Sequence, residues 1–217
     1  MSSREQILGR IRQQLGRTPE NAASGRAEIE RYILARSLGP HGVLKGDLLS
    51  RFCEKSASLS SSVDLIDDLA QAPAAIARYL AAHQLPRQAV CWPQFASLDW
   101  IGAGLQLESR PVCAADLVGV SGCFCALAET GTLVLCSGPE TPAALSLLPE
   151  THIAIVPIAR IVAGMEEAWA LLRRESAELP RAVNFVSGPS RTGDIEQTIV
   201  LGAHGPYRVH ILVVGDE

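Results

Sequence analysis

Several short runs of this chain are apolar at nearly every position rather than at alternate ones: AVCW (89–92), IAIVP (153–157), VNFV (183–186) and VHILVV (209–214). A strand with one face in water alternates apolar and polar residues. A strand covered on both faces does not. The windows between the runs, 72–83 and 162–175, carry helical spacing, and Pro73 falls in a first turn, where a missing N–H costs nothing. Continuous strands alternating with helices predict an α/β fold: an open, mainly parallel central sheet with helices on both faces.

Other segments fit the same scheme. Shorter strands are expected at 63–66 and 105–107, and one long apolar run spans 117–127. That run ends at Ala128-Glu129-Thr130-Gly131, and a new strand starts at 132–136. A Glu-Thr-Gly turn between two strands implies a hairpin or a tight crossover. Residues 142–148 read as a helical turn. Near the start, Ile7, Leu8, Ile11 and Leu15 share one face of a helix over 4–15, capped by Ser2 or Ser3. TPENAASGRAEIER (18–31) reads as a linker, and a second helix over 28–38 stops at Gly39-Pro40. The expected division is a helical extension, 1–45, and an α/β domain, 46–217.

Composition narrows the function. Net charge is −4 and no basic stripe stands out, so nucleic acid is not an expected partner. No stretch reaches the roughly 20 apolar residues of a membrane span, and the first residues lack the apolar core of a secretory signal. A soluble cytoplasmic protein is the expectation. The 6 cysteines include no CxxC pair, and no His/Cys/Asp group has ligand spacing, so no metal site is expected. Cys123 and Cys125 would share one face of a strand, and the thiols in apolar runs act as small hydrophobes.

Three places carry candidate chemistry. The first is the Glu129-Thr130-Gly131-Thr132 turn. A carboxylate beside buried strands can act as base or nucleophile, or it can be a solvated turn residue. The second is Ser187-Gly188-Pro189-Ser190, followed by Arg191, Thr192 and an Asp194-Ile195-Glu196 step that can open a helix. A glycine turn before a helix start presents free N–H groups to an anion, and Arg191 can clamp a carboxylate. Asp194 and Glu196 oppose an anion there, and neither a Walker loop nor GxGxxG is present. The third is His204, on the glycine-flanked loop GAHGP, as acid or base. His210 reads as a core or edge residue, and His152 as exposed at a strand start. Ser187 and the loop after Leu135 are both expected at the carboxyl edge of the central sheet, where ligands of open α/β sheets bind.

AETGTLVLCSG (128–138), LSLLPETHIAIVPIARIV (145–162) and SGPSRTGDIEQTIVLGAHGPYRVHILVV (187–214) occur in this order. Together they resemble the lactate-utilization protein C family, whose proteins carry the LUD domain. The resemblance is strong over about 115–217. It implies a fold similar to coenzyme A transferases, ribose-phosphate isomerase and formyltetrahydrofolate cyclo-ligase. It also implies a role in oxidising L-lactate to pyruvate beside two iron–sulfur partner proteins, with no cofactor in this chain. The family's signatures include Ser190, Arg191, Thr192, His204 and Gly205. Glu129 resembles in its setting the nucleophilic glutamate of coenzyme A transferases; Glu129 and His204 are expected as catalytic residues, and Thr130, Gly131, Thr132, Ser187, Gly188, Ser190, Arg191 and Thr192 as substrate-binding ones. Two other functions stay open: a stand-alone transferase- or isomerase-like enzyme using Glu129, and a non-catalytic scaffold or regulatory subunit.

Overall fold

The computed structural model describes residues 2–37, 39, 46–193 and 199–215. The chain divides into two compact units, Met1–Val43 and Leu44–Glu217.

The first unit holds helices α1 (Ser3–Gln14) and α2 (Pro19–Ala35). Ser2 caps α1 in a reciprocal box with Glu5, as the sequence suggests. The stretch read as a linker is helical instead. Thr18 caps α2 in a second box with Asn21, and Pro19 stands in the first turn. A Thr-Pro start with a capping partner three residues on outweighs one internal glycine, Gly25. The helix ends at Arg36, in the left-handed region at φ 45°. Leu38 and Pro40, where the stop was expected, lie outside the described residues.

The second unit opens with α3 (Leu48–Ser58), which the apolar pattern had not disclosed. Asp47 caps it by accepting from Ser50 N at 2.8 Å. Then come β1 (Ser62–Ile66), α4 (Ala72–Ala82), β2 (Gln88–Cys91), β3 (Gln106–Glu108) and β4 (Val118–Ser121). After these come β5 (Cys125–Leu127), β6 (Thr132–Cys136), β7 (Thr151–Pro157), β8 (Ile161–Val162) and α5 (Met165–Glu175). The chain ends with β9 (Val183–Val186), β10 (Arg191–Gly193), β11 (Ile199–Leu201) and β12 (Arg208–Val214).

Six strands form the central sheet in the order β1-β12-β7-β4-β2-β3, and every pairing is parallel. The continuous apolar runs fit this: β7 and β12 are buried over almost their whole length. The expected 117–127 strand is two strands. It breaks at Gly122, where a side chain's first carbon would lie 2.6 Å from Gln94 Nε2, and the second half, β5, joins another sheet. That sheet runs β8-β5-β6-β9, with β6 antiparallel to both neighbours. The Glu-Thr-Gly turn is therefore a hairpin. Val162 belongs to β8 rather than to α5.

The second sheet also changes the expected layering. Ala126, Leu133 and Leu135 join the main core, while Cys125, Leu127 and Val134 form a smaller core with Ala168 and Leu171 of α5. Part of the covering is thus a sheet, itself covered by a helix. Cys123 packs against the main core and Cys125 sits in the smaller one, so the two thiols do not share an environment. The six thiols are free. Burial pushes Cys91 up to about 11 and Cys125 up to about 12.

Two histidines lie inside the central sheet. His210 is buried as expected, stacked on Tyr79 of α4 with ring centres 3.9 Å apart. His152, expected to be exposed, is fully buried, because β7 starts at Thr151 in mid-sheet between β4 and β12.

Candidate functional site

The end of α3 organises the region. Its last turn closes at Leu59, and Ser60 follows in the left-handed region at φ 70°. Three sequence-selected residues press on this end. Gly131 sits in the hairpin turn at φ 63°, and a Cβ there would lie 2.4 Å from Ser56 N. Ser56 donates to the Gly131 carbonyl at 3.4 Å. Gly188, at φ 83°, approaches as closely: a Cβ would lie 2.4 Å from Leu59 O. Both positions need glycine for conformation and for space. Arg191 then donates through Nη2 to the Leu59 carbonyl at 3.3 Å and to the Ser60 hydroxyl. A cation on the last carbonyls of a helix satisfies orphan acceptors and opposes the negative dipole end.

Beside this contact lies a chain of hydroxyls. Thr132 Oγ1 sits 2.8 Å from Thr130 Oγ1 and 2.7 Å from Ser187 Oγ. β6 and β9 run antiparallel, which brings Ser187, just past the end of β9, next to Thr132 at the start of β6. Thr132 is buried, while Thr130 and Ser187 are exposed. The expectation for Ser187 and the loop after Leu135 is corrected by the same pairing. Both belong to the second sheet rather than to the carboxyl edge of the parallel one. They also lie at opposite ends of their pair, since Cys136 faces Val183.

Ser190 ties down the loop that carries His204. Ser190 N donates to the Pro206 carbonyl and Gly202 N to the Ser190 carbonyl, each at 2.9 Å. Arg191 faces Leu201, and Thr192 faces Val200, across the β10–β11 ladder. His204 is exposed on the following loop. A hollow of about 530 Å³ opens between Ser60, Pro189, Arg191, Leu201 and Tyr207. Asp194 and Glu196, with the helix start expected there, lie outside the described residues.

Glu129 stands apart from these groups. Its backbone N–H donates to the Ala163 carbonyl at 2.9 Å. Its half-buried side chain faces Gly164, where a Cβ would lie 3.0 Å from Glu129 Oε2, 3.4 Å from Glu167 Oε2 and 3.8 Å from Glu166 Oε2. Three carboxylates thus gather at the start of α5, the helix end whose dipole favours negative charge. The structure therefore assembles two groups around α3, the hydroxyl chain with its glycines and the Arg191 hairpin, and it puts Glu129 with α5.

Spacing alone missed Ser56, Leu59 and Ser60, on which both groups rest. The serine-rich stretch SASLSSS (56–62), running from a helix end into a strand, was the available signal. Among the described residues, no three His, Cys, Asp or Glu side chains are grouped to hold a metal ion. No helix of the described residues is long and apolar enough to cross a membrane.

A parallel six-stranded sheet, a hairpin-built second sheet and flanking helices define an α/β protein of open-sheet type. Its chain belongs to the LUD domain family, whose model matches residues 49–214. It is 31% identical over 233 residues to a lactate utilization protein C of an Exiguobacterium species, covering 100% of this chain and 97% of that protein. A lactate utilization protein C 1 of Bacillus mycoides is 45% identical over 107 residues, a match spanning 48% of this chain and 45% of that one. Among solved structures, a DUF162 family protein from Deinococcus radiodurans superposes with a TM-score of 0.56 at 24% identity, covering 80% of this chain and all of that chain. That likeness supports the fold alone.

Proposed function

We propose that this chain is a component of an L-lactate utilization system in the cytoplasm, acting with iron–sulfur partner proteins to convert L-lactate to pyruvate. The observation that carries this reading is the end-to-end similarity to a lactate utilization protein C. The oxidation removes two electrons from lactate, and its C2 and hydroxyl hydrogens leave as two protons. In this reading the clusters of the partners would serve as the one-electron acceptors.

This chain's part is to receive the carboxylate. Arg191 is fixed by the end of α3 through Nη2, which leaves its Nε–H and Nη1–H groups to donate to an anion in the 530 Å³ hollow. His204, on the loop stapled to Ser190, accepts the hydroxyl proton. Thr130, Thr132 and Ser187 shape the neighbouring wall with their hydroxyls.

The test is growth of a strain lacking this gene on L-lactate, with pyruvate as the control carbon source. Loss of growth on L-lactate alone, restored by the native chain but not by Arg191→Gln, is the expected result. Normal growth of the deletion strain on L-lactate would sink the reading. Full restoration by folded Arg191→Gln and His204→Ala chains would leave a scaffold role in place of substrate binding.

A further inference from the structure

A second concavity, of about 290 Å³, opens at the amino ends of β1 and β12. Ser60, Ser61 and Ser62 line it from the start of β1, His83 from the end of α4, and Tyr207 and Arg208 from the start of β12. Among the described residues, no carboxylate is part of this lining; Glu150 lines an adjoining hollow of about 410 Å³ that shares Tyr207 and Arg208.

Arg208 brings the positive charge to this lining. Arg110 is clamped by Asp116 and Glu108, Arg160 by Glu175, and Arg191 by the end of α3. Among the described residues, the Arg208 guanidinium makes no ion pair and no hydrogen bond. It is held only by the face of Tyr207, 4.8 Å from its centre. Ser61 is the second anomaly. It is 6% exposed, and its hydroxyl has no partner among the described residues. A buried hydroxyl left unpaired costs stability unless something else supplies the bond. The negative end of α3 lies next door, where Arg191 covers the Leu59 carbonyl, and Asp64 is the carboxylate that acts on Tyr79 of the lining.

We propose that this cavity binds the phosphoryl group of a small molecule. Donors reach it from three separate elements, which suits a tetrahedral oxyanion better than a planar carboxylate. Arg208 supplies the charge, and Ser61 and His83 supply hydrogen bonds. The assignment does not rest on the lactate reading.

Calorimetric titration of the intact chain with inorganic phosphate at low ionic strength is the test. Saturable one-to-one binding is expected, weakened at least tenfold by Arg208→Gln. Arg181→Gln, which removes the same charge from an exposed position before β9, should change it by less than about twofold. Ser61→Ala adds a sharper signature. It removes the unpaired hydroxyl, so the ligand-free chain should unfold no earlier while phosphate binds more weakly, and this arm remains informative if Arg208→Gln fails to fold. Absence of saturable heat, equal weakening by both arginine variants, or phosphate affinity unchanged in Ser61→Ala would each overturn the proposal. L-lactate binding as tightly as phosphate, and lost with Arg208→Gln, would overturn the phosphoryl assignment.

Discussion

The two sheets of the second unit are made from similar runs of sequence, yet they differ in what they leave for chemistry. In the central sheet all pairings are parallel, and β7 and β12 are covered on both faces, so their polar side chains must find partners inside the core. His152 does so through Ser121 Oγ at 2.7 Å, and His210 through Ser62 Oγ at 2.9 Å. In the second sheet, β6 pairs antiparallel on both sides, and its end turns sharply at Gly131 against α3. The hydroxyls of Thr130, Thr132 and Ser187 collect at that end, partly open to solvent. The two histidines of the parallel sheet are buried core, each hydrogen-bonded through one ring nitrogen. At the turned end of the hairpin sheet, Thr130 and Ser187 stay exposed while Thr132 is buried between them.

The comparison is broken most severely at the glycines. Gly131→Ala and Gly188→Ala combine an unfavourable positive φ with a Cβ 2.4 Å from backbone atoms of α3. Each should cost on the order of 3 kcal/mol or more, read as a lowered midpoint in urea unfolding. Gly193→Ala, at a glycine of β10 with open space around its Cβ position, should stay within about 0.5 kcal/mol of native. Equal effects at all three would mean that the hairpin turn and the 187–191 segment are not seated on α3.

The central sheet is tested by acid. Burial lowers both His152 and His210 to about 4 from the usual 6.5, with Asp64 opposing and His83 reinforcing the shift at His210. The folded rings bind protons less readily than the unfolded ones. Their contribution to stability is therefore complete above pH 6.5 and is lost as pH falls from there towards 4. Each ring accounts for about 3 kcal/mol over that window. Unfolding free energies measured between pH 7 and 4 should fall accordingly, and a His152→Phe, His210→Phe double variant should lose most of that slope. A slope unchanged by the double substitution would place the acid sensitivity elsewhere.

Ser121 gives the next, smaller effect. Its hydroxyl donates to the Gly122 carbonyl at 2.9 Å, so its oxygen is free to accept from His152 Nε2–H. His152 Nδ1 has no partner among the described residues. Ser121→Ala would strand both ring nitrogens in the core and should cost about 2 kcal/mol in the same unfolding assay.

The parallel sheet was the legible part of the sequence, because burial on both faces leaves a mark in every residue of a strand. The hairpin was legible from Glu129-Thr130-Gly131. Two things hid the second sheet. Its strands are short, and the break at Gly122 depends on contacts with Gln94 and Phe95 that no local pattern announces. The first half of helix α2 reads as a linker because small polar residues and Gly25 resemble one unless the Thr18–Asn21 cap is recognised, while its second half falls within the helix expected over 28–38. At the candidate site, residue types were readable and their company was not. Glu129 reads as a candidate base or nucleophile of its own, and the hairpin turns it towards Glu166 and Glu167. Arg191 looked free for a ligand, and half of its fork is committed to a helix end 131 residues earlier in the chain.

The smallest effect separates the two sheets most finely. Thr132 is 3% exposed, and its hydroxyl bonds to both Thr130 and Ser187, whereas those two residues reach solvent. Thr132→Val keeps the shape of the side chain and removes the central link, leaving two outer hydroxyls that water can satisfy. Its cost should be about 1 kcal/mol, against a few tenths for Thr130→Ala. If the hydroxyl chain serves ligand binding rather than folding, Thr132→Val should weaken growth on L-lactate far more than so small a loss of stability explains, and Ser187→Ala should do the same with almost no loss of stability. Ser121→Ala in the central sheet should behave in the opposite way, costing more stability while the surviving folded protein retains its function. The contrast fails if the defects of all three variants simply follow their unfolding midpoints, because the hairpin end would then be core of the same kind as the parallel sheet.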